Sequence, residues 1–276
     1  MMSLNRLISR NRNSINSLHE RRQFSSRWKA QRDKDVFADR AIQEGLRSRA
    51  AYKLEEINRR HGHFLRPGTY VLDLGAAPGG FSVLASRLIN LDTTISRWNY
   101  RLAESKRIGM ERMLGGSQAN RKYGRLICVD RNEMNPITGA TFLKADIFDT
   151  EDSDLLNRLV NYEMDVVLSD MAPDTTGEKD VNHARIMELA ERAFHMCHQC
   201  LRNGGTFVCK IFSGDQETEF RDVLLKRHFT NVKAFRPKAT RKSSPELYYV
   251  ARGYVPAHMT IDIDNIDKGR PYLYNV

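Results

Sequence analysis

Three carboxylates stand at the ends of apolar segments that each read as a short buried strand. ICVD ends in Asp130, FLKAD in Asp146 and VVLSD in Asp170. A further segment, YVLDL, runs into Gly75-Ala-Ala-Pro-Gly-Gly-Phe81 and then into a helical stretch, FSVLASRLI. In open α/β sheets, ligands sit in the crevice at the carboxyl ends of the strands, so these residues are candidates for one site. An acid closing the second strand accepts hydrogen bonds from ribose hydroxyls. Gly75, Gly79 and Gly80 allow close backbone approach. A dinucleotide loop needs Gly-x-Gly-x-x-Gly, but Ala77 stands at the second glycine and Pro78 has no N–H to offer an anion. The loop and the three carboxylates suit an adenosine with a cationic tail better than a polyphosphate. S-adenosylmethionine has that character. Any one strand-end acid could instead cap a helix N-terminus; three in succession weaken that reading. Asp73, beneath the loop, either reaches an ammonium through water or caps local N–H groups, and stays outside the expected site.

Other chemistry is less well supported. His195, Cys197, His198 and Cys200 crowd one helix. The His pair and the Cys pair lie ~200° apart around it, so they do not share an ion, and no metal site is expected. Asp165 and Asp170 lie on opposite faces of one strand and are not a paired-acid site.

The elements that must position these residues alternate. RSRAAYKLEEINRRH (47–61) has helical spacing of Ala50, Leu54 and Ile57. Strands are expected at TYVLDLG, RLICVD, TFLKADI, MDVVLSD, TFVCKIF, VKAFRP and LYYVARG, and helices over 153–162, 184–201 and roughly 216–228, with Asn203-Gly204-Gly205 stopping the long one. Strands alternating with helices imply a mostly parallel α/β sheet of seven strands with helices on both faces. Residues 40–254 form the expected domain, interrupted by a basic insertion at 91–124 and followed by a loosely packed tail at 255–276.

The chain has 276 residues, of which 41% are apolar, enough for a core. No apolar run approaches the ~20 residues of a membrane span. Four cysteines suit a reducing compartment. Net charge is +10, and residues 1–32 carry eight Lys/Arg against Glu20, leaving the body only mildly basic. The Arg- and Ser-rich, acid-poor leader reads as a mitochondrial transit peptide over 1–26, and the matrix is the expected location. The competing reading is a basic arm that touches nucleic acid.

YVLDLGAAPGGFS, ICVDRNEMNP, FLKADIFD, VVLSDMAPDTTG, GGTFVCKIFSG and SPELYYVA, with RSRAAYKLEEI in front, follow one another over about 47–252. The ordered set closely resembles the FtsJ-type RNA 2′-O-ribose methyltransferases. The leader makes it most similar to their mitochondrial large-subunit rRNA branch. The resemblance implies a Rossmann-like, S-adenosylmethionine-dependent methyltransferase fold. It also implies a catalytic Lys-Asp-Lys-Glu tetrad at Lys53, Asp170, Lys210 and Glu246. It maps the cofactor loop to Pro78, Gly79, Gly80 and Phe81, completed by Asp130, Asp146 and Asp170. Phe81 departs from the Trp usual in bacterial members but keeps an aromatic wall.

The implied reaction is methylation of a ribose, a uridine by the resemblance, in mitochondrial large-subunit rRNA or its precursor particle. Lys210 would meet the 2′-oxygen, as base or as oriented cation. Its neighbour Cys209 points to the other face. Arg47 and Arg49 beside Lys53, and Arg236, Lys238, Arg241 and Lys242 before Glu246, would form a basic cleft for RNA phosphates. Two other readings stand beside this one: an rRNA-binding assembly factor whose catalysis is dispensable, and a nicotinamide-dependent oxidoreductase.

Overall fold

The computed structural model describes residues 35–91, 121–149, 163–174, 177–214, 216–256, 259–261 and 273–275. The expected leader over 1–26 and the expected helix at 153–162 lie outside them. The chain divides into two units, Met1–Gly45 and Leu46–Val276. In the first, the described residues form helix α1, Val36–Gln43, whose N-cap Asp35 accepts a hydrogen bond from the Ala38 N–H.

The second unit is built on seven strands: β1 (Tyr70–Leu74), β2 (Arg125–Asp130), β3 (Thr141–Lys144), β4 (Met164–Ser169), β5 (Leu201–Phe212), β6 (Phe229–Phe235) and β7 (Glu246–Tyr254). Their order is β3-β2-β1-β4-β5-β7-β6. All neighbours are parallel except β7, which slots between β5 and β6 and runs against both. The mostly parallel sheet expected from the apolar runs is therefore the sheet found, with one reversed strand.

Alternate strand residues face opposite sides. On one side Leu72, Val167, Phe207 and Tyr249 pack beneath helix α4 (Lys179–Cys200), which contributes Ala190, Ala193 and Phe194. On the other, Val71, Leu126, Val166 and Val208 pack beneath α2 (Ala50–Arg60) and α3 (Gly80–Leu88), which contribute Leu54, Ile57 and Ala85.

Two boundaries differ from expectation. Helix α4 ends at Cys200 and β5 begins at Leu201 with no loop between them. The Asn203-Gly204-Gly205 stretch is instead absorbed by the strand. Its register against β4 jumps between Met164↔Leu201 and Val166↔Thr206, and Gly204 takes a positive φ of 74° that permits the bulge. The helical stretch after β5 is broken into Gln216–Glu219, a π-helical turn at Phe220–Leu225 and Lys226–His228. In the tail, the described residues form an antiparallel pair, β8 (Met259–Ile261) and β9 (Leu273–Asn275).

The edge of the sheet where the parallel strands begin is fastened by Asp165. Its buried carboxylate accepts from the Tyr70 N–H (2.7 Å) and pairs with Arg121 (2.9 Å) and Arg202. The 91–124 insertion is rooted here too: Leu91 and Gly124 form a bridge. Its ends therefore sit at the opposite edge from Asp130 and Asp170.

Candidate active site

At the carboxyl ends of the strands, the register brings four distant charged residues together. Ser169 of β4 lies beside Cys209 of β5, so Asp170 follows next to Lys210. Antiparallel pairing sets Lys210 against Tyr248 and Phe212 against Glu246. Lys53 comes from the face of α2 that packs on the sheet and is 7% exposed; Lys210 is 6% exposed.

The contacts form one chain. Glu246 pairs with Lys53. Lys53 Nζ also donates to the Tyr248 hydroxyl (3.4 Å), and Tyr248 donates to Asp170 Oδ1 (2.6 Å). Lys210 Nζ lies 3.1 Å from the same Oδ1 and donates to the Asp170 carbonyl. Thr240 and Ser244 hydroxyls hold the Glu246 carboxylate from behind. Burial alone would push the Asp170 carboxyl up. The ammonium groups of Lys210 and Lys53, with the Tyr248 hydroxyl, outweigh it and hold the carboxyl below its ordinary value.

Tyr248 was not among the residues singled out from the sequence. It is fully buried, and its hydroxyl is the joint between the Lys53–Glu246 and Lys210–Asp170 pairs. Counting by two from Glu246 along β7 would have placed it on the same face. Burial first, then the nearby Asp170 and Glu246 charges, push its pKa well above the ordinary value, so it remains a neutral donor.

A cleft of about 520 Å³ adjoins this cluster, lined by Gly75, Asp130, Asp146, Phe148, Met171 and Asp174 among others. Asp170 and Met171 are consecutive, so cluster and cleft meet at the end of β4. Asp130 accepts from the N–H groups of Ala77 (2.9 Å) and Asn132 (2.7 Å), joining the glycine loop to the loop after β2. Gly75 has φ 72°, and a Cβ there would strike Met171.

The rest of the glycine loop serves the protein's own packing. A Cβ on Gly79 would meet the Arg47 side chain at 2.7 Å, and one on Gly80 would collide with Ser48. Phe81 is 2% exposed, packs in the core beside α2, and faces Tyr248 with ring centroids 6.1 Å apart. It supports Tyr248 from within the core and does not line the cleft. Asp73 lies buried beneath the loop and accepts from the Ser82 hydroxyl. Burial, reinforced by the Asp170 and Asp130 charges and opposed by Ser82, raises its carboxyl to about 7.

The six cations expected to contact RNA divide. Arg47 donates to the carbonyls of Pro78, Asn135 and Pro136, and Arg236 to those of Arg241, Ser244 and Glu246. Both guanidinium groups thus donate to backbone carbonyls, Arg47 half-buried and Arg236 exposed. Arg49 is the N-cap residue of α2. Lys238, Arg241 and Lys242 are exposed on the loop that leads into Glu246.

Cys209 faces the α4 side, opposite Lys210, where burial pushes its thiol up to about 12. His198 is hydrogen-bonded to the Tyr254 hydroxyl (2.6 Å), and Cys197 and Cys200 are buried. Among the described residues no cluster of three or more His, Cys, Asp or Glu could hold a metal ion, and no helix is long and apolar enough to cross a membrane.

Comparison with known proteins meets this geometry. Residues 46–254 match the family model of the FtsJ-like methyltransferases. The chain is 40% identical over 240 residues to the ribosomal RNA large subunit methyltransferase E of Parvibaculum lavamentivorans, covering 87% of this chain and 85% of the relative. It is 36% identical to the protein of the same name from Rhodopseudomonas palustris, covering 89% and 92%. A crystal structure of a ribosomal RNA methyltransferase from Plasmodium falciparum superposes with a TM-score of 0.56 at 25% identity, over 76% of this chain and 99% of that one. The matched segment holds the whole seven-stranded sheet, the cleft and the charged cluster, and the chain belongs to the FtsJ-like methyltransferase family.

Proposed function

We propose that this protein uses S-adenosylmethionine to methylate a ribose 2′-hydroxyl, on a uridine, in the large-subunit ribosomal RNA of mitochondria. The observation that carries the reading is the unbroken chain Glu246–Lys53–Tyr248–Asp170–Lys210 at the mouth of an acid-lined cleft. The names of the relatives support rRNA as substrate. The mitochondrial part rests on the composition of residues 1–26.

The cleft fits the cofactor. Asp130 and Asp146 offer acceptors to the ribose and the adenine amine, Met171 and Phe148 offer apolar surface, and the acidic lining suits a cationic tail. When bound, S-adenosylmethionine supplies a methyl group on a sulfonium.

The chain's own residues prepare the acceptor. A lysine ammonium has three N–H donors. The carboxylate and carbonyl of Asp170 engage Lys210, and a remaining N–H meets the 2′-oxygen and stabilises charge developing there; as the O–C bond forms and the C–S bond breaks, the hydroxyl proton leaves to water and the sulfonium departs as a neutral thioether. Asp170 stays ionised because its carboxyl lies below the ordinary value, so this orientation persists through the neutral range. Glu246 and Tyr248 hold Lys53 as a second cation close by. Holding both substrates in line contributes about 7 kcal/mol or more.

The test is methyl transfer by the purified full chain to mitochondrial large-subunit rRNA, with 2′-O-methyl sites mapped. Lys210→Ala should lower the rate about 10²–10³-fold while S-adenosylmethionine binding is retained. Near-normal turnover by that variant, or methylation of a base instead of a ribose, would overturn the reading.

A further inference from the structure

Arg47 has the chemistry of an RNA contact, yet it is half-buried and its guanidinium donates to carbonyls of the protein's own loops. Nη1 donates to the Asn135 carbonyl and lies 3.5 Å from that of Pro78; Nη2 donates to Pro136 at 2.8 Å. Pro78 belongs to the glycine loop after β1, and Asn135 and Pro136 to the loop after β2. The same two loops are joined a second time where Asp130 accepts from the Ala77 N–H. Both loops continue directly into the cleft, through Gly75 on one side and Asp130, Arg131 and Asn132 on the other.

A second observation comes from Gly79. Its φ is 108°, and a Cβ there would lie 2.7 Å from both Cδ and Nη1 of Arg47. The glycine therefore leaves the space in which the arginine runs. Guanidinium is suited to this task, since its planar fork offers several donors in fixed directions and stays charged at any physiological pH.

We propose that Arg47 is a cofactor-positioning residue that clasps the glycine loop to the loop after β2 and so sets the width of the cleft. The proposal rests on the S-adenosylmethionine reading given above. A phosphate contact and a clasp predict different measurements. Losing a phosphate contact weakens RNA binding and lowers the salt slope of that binding by about 1. Losing a clasp weakens the small ligand and leaves the RNA slope alone.

The experiment is calorimetric titration of S-adenosylmethionine into wild type, Arg47→Met and Arg47→Lys, with RNA affinity of each measured from low to high salt. The Met variant keeps the aliphatic stem and loses every donor. Its S-adenosylmethionine Kd should rise about tenfold or more. Lysine reaches fewer carbonyls and should fall between Met and wild type. RNA affinity and its salt slope should match wild type in both. An unchanged S-adenosylmethionine Kd overturns the proposal, whether or not RNA affinity falls. An equal loss of both affinities would mean general damage to the fold and would also overturn it. Should the Met variant fail to fold, the Lys variant decides alone. If wild type itself binds no S-adenosylmethionine, the reading of the cleft fails and the clasp with it.

Discussion

Tyr248 is the residue through which the two cation–carboxylate pairs touch. Its hydroxyl accepts from Lys53 and donates to Asp170, and its ring is backed by Phe81. Tyr248→Phe removes the hydroxyl and keeps the packing. Lys53 still has Glu246 and Asp170 still has Lys210, so the fold should survive with little change in Tm. The pairs lose their common joint, and kcat at saturating substrates should fall about tenfold or more, in keeping with about 1.4 kcal/mol or more for a hydrogen bond to a charged group. The S-adenosylmethionine Kd should not move. An unaltered kcat would remove Tyr248 from the catalytic machinery. The reason this residue escaped sequence reading is physical. Asp170 stands out as an acid that closes an apolar strand, whereas Lys53, Lys210 and Glu246 were legible only through the resemblance to a known family. A tyrosine within LYYV looks like core, and by burial it is core. For Arg47 and Arg236, sequence reports that a cation exists, not that backbone carbonyls accept from it: for Arg47 those of Asn135 and Pro136, far along the chain, and for Arg236 those of Arg241, Ser244 and Glu246 nearby.

Elements were legible where local pattern determines them. The apolar runs gave all seven strands, and β2 falls on the expected RLICVD. Pairing was less accessible. That β7 turns back between β5 and β6 is a long-range property, and it is this reversal that sets Glu246 and Tyr248 beside Phe212 and Lys210. The start of β5 was misplaced, at Thr206 instead of Leu201, because the glycines expected to separate helix from strand here make a bulge inside β5. The insertion at 91–124 can be tested as an element. Leu91 and Gly124 bridge each other, and the Gly124 N–H also donates to the Ile89 and Asn90 carbonyls, so the described residues at its two ends already hold each other together. Arg121 must stay, since its guanidinium pairs with Asp165 and lies 3.9 Å from the Tyr70 ring centroid. Replacing 92–120 with a short Gly-Ser linker should leave Tm unchanged or slightly raised, because a shorter loop lowers the closure entropy by about 1 kcal/mol. Its roots are at the edge remote from Lys210, so methyl transfer to a minimal RNA should persist. Loss of folding would show that 92–120 carry core contacts.

At the scale of the molecule, the question is where its positive charge acts. Net charge is +10, but residues 1–32 supply most of it. If the leader is an address, it contributes nothing to RNA recognition by the folded unit. If it is an RNA-binding arm, it should dominate the salt dependence. The loop leading into Glu246 offers the competing source: Lys238, Arg241 and Lys242 are exposed beside the charged cluster, while Arg47 and Arg236 are tied to carbonyls. Each phosphate neutralised by a cation releases counterions, so the slope of log affinity against log salt counts contacts. A chain starting at Arg27 should bind RNA with the affinity and slope of the full chain. Replacing Lys238, Arg241 and Lys242 together by alanine should flatten the slope by about 2–3 and weaken binding at low salt most. The reverse result, a slope that collapses on removing 1–26 and ignores the triple substitution, would place the RNA contact in the leader and undo the mitochondrial address. The distinction matters for catalysis as well. Cations on the loop that holds Glu246 would couple phosphate docking to the position of Lys53, whereas a leader arm would raise affinity without aligning the ribose.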